Sequence, residues 1–573
     1  MAALKEILRN HKPAIFLALL TSIIVVFPQV YFRFDQKDLY QGIELLPDSP
    51  WSARAREVQD GHPNFGAIYY QDGKDNPYLF QPLGSMVVGY MGEVFRLDIN
   101  NTILLSRLVL SFVVFLLIYG FVFLVSRDKL VALSSAAVLL LADSLLSFSG
   151  ITQLLYGVSP DNFLRLARPV NPAMIYILLF GFLVSFWLFY QKRSWRYGIL
   201  SAIVLGLNFY NYFYSWTFLY AFGGLLVLLL LIQKKWQEAT RVASVFAGAL
   251  LVGIPYFINL YRATLHSAYE EVSVRFGVVL THEPLLVGSS VILALAVFLL
   301  FFPREDRDKY TFGLAILLAP FITMNQQILT GRIMQADHYH WFFHKPLGVI
   351  FVFIVIFHLT RYKKTLTALI ILASIATSVF VQTYSYSHDT RDGGQIAIER
   401  QRYGPVMGWL NENAEKEAVV FANNEASHIT VIYTPLNVFY HRAAMYSLSA
   451  TKERLLDALF SFYRLRGIGV KDAREVFFTE RGYISANIYG MHYRKLLGSY
   501  EAIPDEKIEE IVALYKETLS TPTSVWLYEM WKKYEVEYLV WDKKNDPLWQ
   551  LDNYPFLEKG ADFGDMAIYR FKQ

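Results

Sequence analysis

Three stretches gather the acids and cations from which chemistry can be built. The first, Gly42-Ile-Glu44-Leu-Leu-Pro-Asp48-Ser-Pro-Trp-Ser-Ala-Arg54-Ala-Arg56-Glu57, sets Asp48 just ahead of a helix-compatible segment that holds two arginines. The second, Ser159-Pro-Asp161-Asn-Phe-Leu-Arg165-Leu-Ala-Arg168-Pro-Val-Asn-Pro172, sets an acid beside two arginines. The third runs from Asn325 through Arg332, Asp337, His338 and His340 to Lys345. Together they offer a carboxylate to take a proton from a hydroxyl or amide and cations to hold a phosphate as charge develops on it.

Each residue also has a simpler reading. Asp48 and Asp161 suit helix caps, a role compatible with catalysis. Arg165, Arg168 and Lys345 suit anchors at lipid headgroups. The His338-x-His340 spacing permits chelation of a metal, with Asp337 adjacent, or contact with phosphate or sugar. Aromatic Phe209–Trp216 suits an interfacial belt or a sugar-stacking surface.

The elements that must position these residues are membrane helices. Hydrophobic residues make up 54% of the 573 and come in runs of about 15 to 20, and a hydrocarbon core takes about 20 residues per helix. Eleven spans are expected, near 14–32, 103–125, 130–148, 173–190, 198–212, 217–232, 242–260, 285–302, 310–324, 346–360 and 365–383. Counted this way, the basic turns at Lys5/Arg9/Lys12, Arg127/Lys129, Lys192/Arg193/Arg196, Lys234/Lys235, Arg304/Arg307/Lys309 and Arg361/Lys363/Lys364 all fall on one side. Positive charge marks the cytoplasmic side, so the N-terminus is expected inside and the C-terminal tail outside an inner (plasma) membrane. Phe27-Pro28-Gln29-Val30 offers no small-residue cleavage site, so the first run reads as an uncleaved helix.

The three chemistry-bearing stretches then share the outer face. The first outer loop, 33–102, is long enough for a helix over Trp51–Asp60 and an amphipathic stretch over Gln81–Val94 at the membrane surface. Beyond about 385 the pattern changes to that of a soluble α/β domain. Strands are expected at Val419–Asn423 and Glu535–Trp541, and helices at Glu453–Leu465, Asp505–Thr518 and Ser524–Tyr534. The chain contains no cysteine, which excludes disulfides, thiolate catalysis and iron–sulfur clusters. No glycine-rich phosphate loop follows a strand. The net charge of +4 lies in the short turns, which argues against a nucleic-acid surface.

A first helix, a long outer loop with an early acid and an interfacial helix, then closely spaced spans, resembles the GT-C superfamily of polyprenyl-phosphate-sugar-dependent glycosyltransferases. Protein O-mannosyltransferases and the lipid A aminoarabinose transferase belong to it. The resemblance covers residues 10–385 and is mostly architectural. It implies a membrane module over 1–385 and an extracytoplasmic domain over 386–573. It further implies transfer of a hexose or pentose from a polyprenyl phosphate to a lipid, glycan or protein acceptor on the outer face. Asp48 would be the base, and Asp161 would act beside it on substrate or a divalent metal. Many relatives carry paired acids at the first site, whereas Asp48 is followed by Ser49-Pro50, which leaves Asp38 and Glu44 as alternative bases. A flippase of lipid-linked saccharide and a non-catalytic envelope assembly protein are the competing readings.

Overall fold

The computed structural model describes residues 9–47, 49–490 and 504–572. Each of the eleven expected runs contains a helix. Among the described residues, eight helices are long and apolar enough to cross a membrane: Lys12–Asp35, Ile99–Ser126, Ala173–Lys192, Phe213–Ile232, Trp236–Thr264, Arg307–Thr330, Asp337–Leu359 and Lys363–His388. The protein is a multi-pass membrane protein. The other three expected spans are Lys129–Leu141 (13 residues), Trp195–Phe209 (15) and Ser289–Phe301 (13). At 1.5 Å per residue a 13-residue helix covers about 20 Å, roughly 10 Å less than the hydrocarbon core. The third span was expected to reach residue 148. It stops at Leu141, and a 3-10 turn, Asp143–Leu146, follows.

One polar joint holds the loop that follows against the middle of the first helix. Pro28 has no amide hydrogen, so the carbonyl of Ile24 lacks its helical donor. Gln382, on the last long helix, donates to that carbonyl at 3.0 Å. The Gln382 side-chain oxygen in turn accepts from the amide of Leu164 at 3.1 Å, and Ser385 Oγ accepts from the amide of Phe163 at 2.9 Å. Ile24 lies eleven residues, or about 16 Å, below the end of its helix at Asp35. The loop before helix Ala173–Lys192 therefore packs against the middle of the first helix through Gln382, with the amides of Phe163 and Leu164 satisfied inside protein.

The loop after the first helix carries helices Ser49–Gln59 and Leu83–Phe95, close to the two stretches expected there. It serves as the seat of the C-terminal domain. Strands β1 (Val278–Leu280) and β2 (Arg332–Met334) pair antiparallel in the membrane module. The C-terminal domain carries β3 (Val419–Ala422), β4 (Asn437–Val438), β5 (Val536–Asp542), β6 (Leu557–Asp562) and β7 (Met566–Phe571). They form one sheet in the order β4-β3-β5-β7-β6. β3 runs parallel to β4 and β5, while β7 is antiparallel to β5 and β6. Every residue of β3 is buried, as in a strand covered on both faces.

The loop and domain interlock through main-chain groups. Gln401 donates to the carbonyl of Ile43 at 2.7 Å and accepts from the amide of Gln41 at 2.8 Å. Tyr69 accepts from the amide of Val438 at 2.8 Å, and Ser447 donates to the carbonyl of Gly66 at 3.0 Å. Gly66 is required there, because a Cβ would stand 2.4 Å from the carbonyl of Asn76. The guanidinium of Arg454 lies 3.6 Å from the Tyr70 ring centre and pairs with Asp72.

Candidate active site

The three stretches singled out in the sequence meet around one cavity of about 800 Å³. Its wall takes Trp51 and Arg54 from the first loop, Arg165 and Arg168 from the second, and Arg332 and His338 from the third. Tyr212, from the break between two helices, and Phe213 and Tyr214, which open the second, complete the aromatic side. Arg54 is buried and stacks between Phe80, 3.7 Å from its ring centre, and Trp51, at 4.8 Å. Arg168 and Arg332 are exposed toward the cavity. His338 Nδ1 hydrogen-bonds the Tyr212 hydroxyl, and its ring lies 4.8 Å from that of Tyr214. Four arginines along an aromatic cavity suit a phosphate attached to a bulky apolar or sugar group.

Beside the cavity lies a charge cluster organised by a residue that the sequence pattern hid. Asp143 accepts from Arg165 at 2.7 Å and from Lys345 at 3.0 Å. Lys345 also donates to the Asp143 carbonyl at 3.2 Å. Trp341 lies under both cations, 4.8 Å from Arg165 and 5.3 Å from Lys345. Asp161 lines a small pocket with Asp143 and Arg165. Burial pushes its carboxyl above the usual aspartate range and the charge of Asp143 adds to that, while Arg165 and Lys345 oppose. Lys345 is thus the buried partner of Asp143, outside the wall of the large cavity.

The sequence-selected acids of the first loop divide. Asp48 lies outside the described residues, as does the basic Lys5. On the near side of Asp48, the carbonyl of Leu46 is held by Arg107 at 2.9 Å, and Pro47 accepts from Ser52. Glu44 is buried and committed to structure, accepting from Arg33 at 2.6 Å and from the Tyr40 hydroxyl. Asp38 is exposed in the turn after the first helix. His338 and His340 sit two apart on a helical stretch, so they do not face one ligand. His340 packs its ring against Trp341 at 5.4 Å, away from the cavity wall. Among the described residues no group of three His, Asp or Glu side chains is gathered closely enough to hold a metal ion.

This arrangement, a helical membrane module with a cavity walled by its loops and an α/β domain packed on them, is a fold shared with a solved oligosaccharyltransferase. The oligosaccharyltransferase of the archaeon Archaeoglobus fulgidus in its apo form superposes with a TM-score of 0.51 at 12% identity, over 93% of this chain and 69% of that one. Two further structures of that enzyme align less closely. One, with an inhibitory peptide and a dolichol-phosphate, gives 0.48 at 12% identity over 98% and 74% of the two chains. The other, tethered to an acceptor peptide containing an NVT sequon, gives 0.45 at 13% over the same shares. No protein-family model and no curated protein matches the chain.

Proposed function

We propose that the protein is a membrane glycosyltransferase that moves a hexose or pentose from a polyprenyl-phosphate donor to a lipid, glycan or protein acceptor on the extracytoplasmic face. The observation that carries this reading is the convergence of Arg165, Arg168, Arg332 and His338 from two separate outer loops on one aromatic cavity. The orientation, N-terminus inside and residues 386–573 outside, rests on the basic turns.

In the reaction a hydroxyl or amide of the acceptor attacks the anomeric carbon as the bond to the phosphate oxygen breaks. The electron pair leaves with the lipid phosphate, where Arg165, Arg168 and Arg332 offset the developing charge, with His338 as a further contact. Asp48 takes the acceptor proton. Glu44, already held by Arg33 and Tyr40, is the poorer base. Asp161 orients substrate from beside Arg165. Lys345 supports the phosphate site through Asp143, and His340 supports it through Trp341. No step requires a nucleotide.

The direct test is turnover. Purified protein is incubated with a panel of polyprenyl-phosphate sugars, and release of polyprenyl phosphate is followed. Release from at least one donor supports the reading, and no release from any donor, in the presence of membrane extract as acceptor source, removes it.

A further inference from the structure

We propose that the short helix Phe148–Leu155 lies in the bilayer interface with its apolar stripe among the acyl chains, as a lipid-facing lip beside the Asp143–Arg165 pair. Phe148, Ile151 and Leu155 fall at i, i+3 and i+7 on one stripe and are 84%, 40% and 80% exposed, and Tyr156 just after the helix is 84% exposed. No Asp, Glu, Lys, Arg or His occurs between Asp143 and Asp161. A water-facing helix with that many bare apolar side chains and no charge is unfavourable in an aqueous loop.

Depth selects lipid as the occupant. The helix before it, Lys129–Leu141, ends about 10 Å short of a full span. After it, the chain returns to Gln382 through Leu164, about 16 Å below the outer end of the first helix. Both ends of the segment are therefore held at membrane depth. Tyr156, just after the stripe, suits the interfacial aromatic belt. The lip sets the Arg165 cluster one short turn from lipid, so a lipid phosphate reaches it sideways from the bilayer. That corollary rests on the transferase reading, and the position of the helix does not.

Because the chain is free of cysteine, a single introduced thiol carries a unique label. Phe148→Cys and Leu155→Cys are each labelled with an environment-sensitive fluorophore and reconstituted in lipid nanodiscs. Val525→Cys, at a half-exposed site in the C-terminal domain, is the aqueous control. Labels at 148 and 155 should lose most of their emission to doxyl-labelled lipid and resist iodide, and the label at 525 should do the reverse. Iodide quenching at 148 and 155 equal to that at 525 overturns the proposal, and so does protection from both quenchers, which means a protein cover. The measurement involves no sugar transfer, so absence of turnover leaves it unchanged.

Discussion

Asp143 holds Arg165 at 2.7 Å while holding Lys345 at 3.0 Å from its other oxygen, so one carboxylate orients a cation from the loop before helix Ala173–Lys192 and a cation from the head of a membrane helix. Asp143→Asn keeps the shape and removes the charge. Taking one partner from a largely buried ion pair leaves its cations uncompensated, which costs on the order of 3 kcal/mol. A lower melting temperature is expected, together with weaker donor binding. Asp143→Glu should restore part of both. Unchanged melting in Asp143→Asn would mean that solvent already screens the cluster.

Arg332 offers the contrast. It is exposed, and among the described residues no ion pair holds it. Arg332→Ala should therefore leave melting unchanged and weaken binding of a polyprenyl-phosphate sugar by roughly 10- to 150-fold, the loss of one charged hydrogen bond. Arg165→Ala should lower both, because it also strips Asp143. Equal donor binding in wild type and Arg332→Ala moves the phosphate to other cations.

How far the sequence revealed this site follows from where its charges fall. Runs of apolar residues located the eight helices long enough to cross a membrane and three shorter ones, and the loop helices Ser49–Gln59 and Leu83–Phe95 differ from expectation by a residue or two at each end. In the C-terminal domain β3, β5 and the helices Lys452–Leu465, Asp505–Thr518 and Thr523–Lys533 were legible from alternation and helical periodicity. β6 was not, because Leu557–Asp562 reads Leu-Glu-Lys-Gly-Ala-Asp and exposes most of its length, nor was β7, Met-Ala-Ile-Tyr-Arg-Phe, which is buried at all but one residue and shows no alternation. The deeper miss is Asp143. It sits inside an apolar run, so the third span was drawn straight through it to residue 148. A lone carboxylate within such a run was the available signal, because an ionisable group at that depth needs a partner. Its partners lie 22 and 202 residues away, which no local pattern reports.

The joint between Gln382 and the first helix makes a second structural prediction. Gln382→Leu strips the Ile24 carbonyl and the Leu164 amide of their partners, each worth about 1–3 kcal/mol when left unsatisfied. Pro28→Ala supplies a helical donor to Ile24. The double variant should recover part of the melting temperature lost in Gln382→Leu. Additive losses in the two single variants would show that the proline and the glutamine act independently.

At the seat of the C-terminal domain, burial pushes the Glu57 carboxyl up to about 7, with Lys74 opposing and Glu417 and Asp60 adding to the rise. Glu417 itself is held below the usual range, where burial is outweighed by Lys74, Asn437 and His62. For Glu57, whose folded value is raised, the stabilising contribution is complete below about pH 4.5 and is lost as the pH climbs toward 7. The contribution of Glu417 has the opposite sign and is lost only below about pH 4.5, outside that window. Glu57→Gln should therefore flatten the melting profile between pH 4.5 and 7 relative to wild type, by an amount on the order of 3 kcal/mol. Comparing the two proteins cancels the buried His428 and His441, which titrate in both. Parallel profiles would mean that Glu57 is ionised throughout.

Asp48 carries the decisive test of catalysis. It directly precedes the helix Ser49–Gln59, whose Trp51 and Arg54 line the cavity, so a capping role and a catalytic role compete for the same residue. Asparagine caps a helix about as well as aspartate does, but it cannot take a proton at neutral pH. A cap alone predicts near-normal transfer for Asp48→Asn and a lower melting temperature for Asp48→Ala. A base predicts that Asp48→Asn loses transfer by about 10²-fold or more with normal expression and melting. Donor binding should survive, because Arg165, Arg168 and Arg332 remain. Substantial transfer by a well-folded Asp48→Asn protein would reject Asp48 as the base. Among the first-loop acids Glu44 is already committed to Arg33 and Tyr40, so Asp161, half-buried beside Arg165 with its carboxyl raised, would be the next residue to replace.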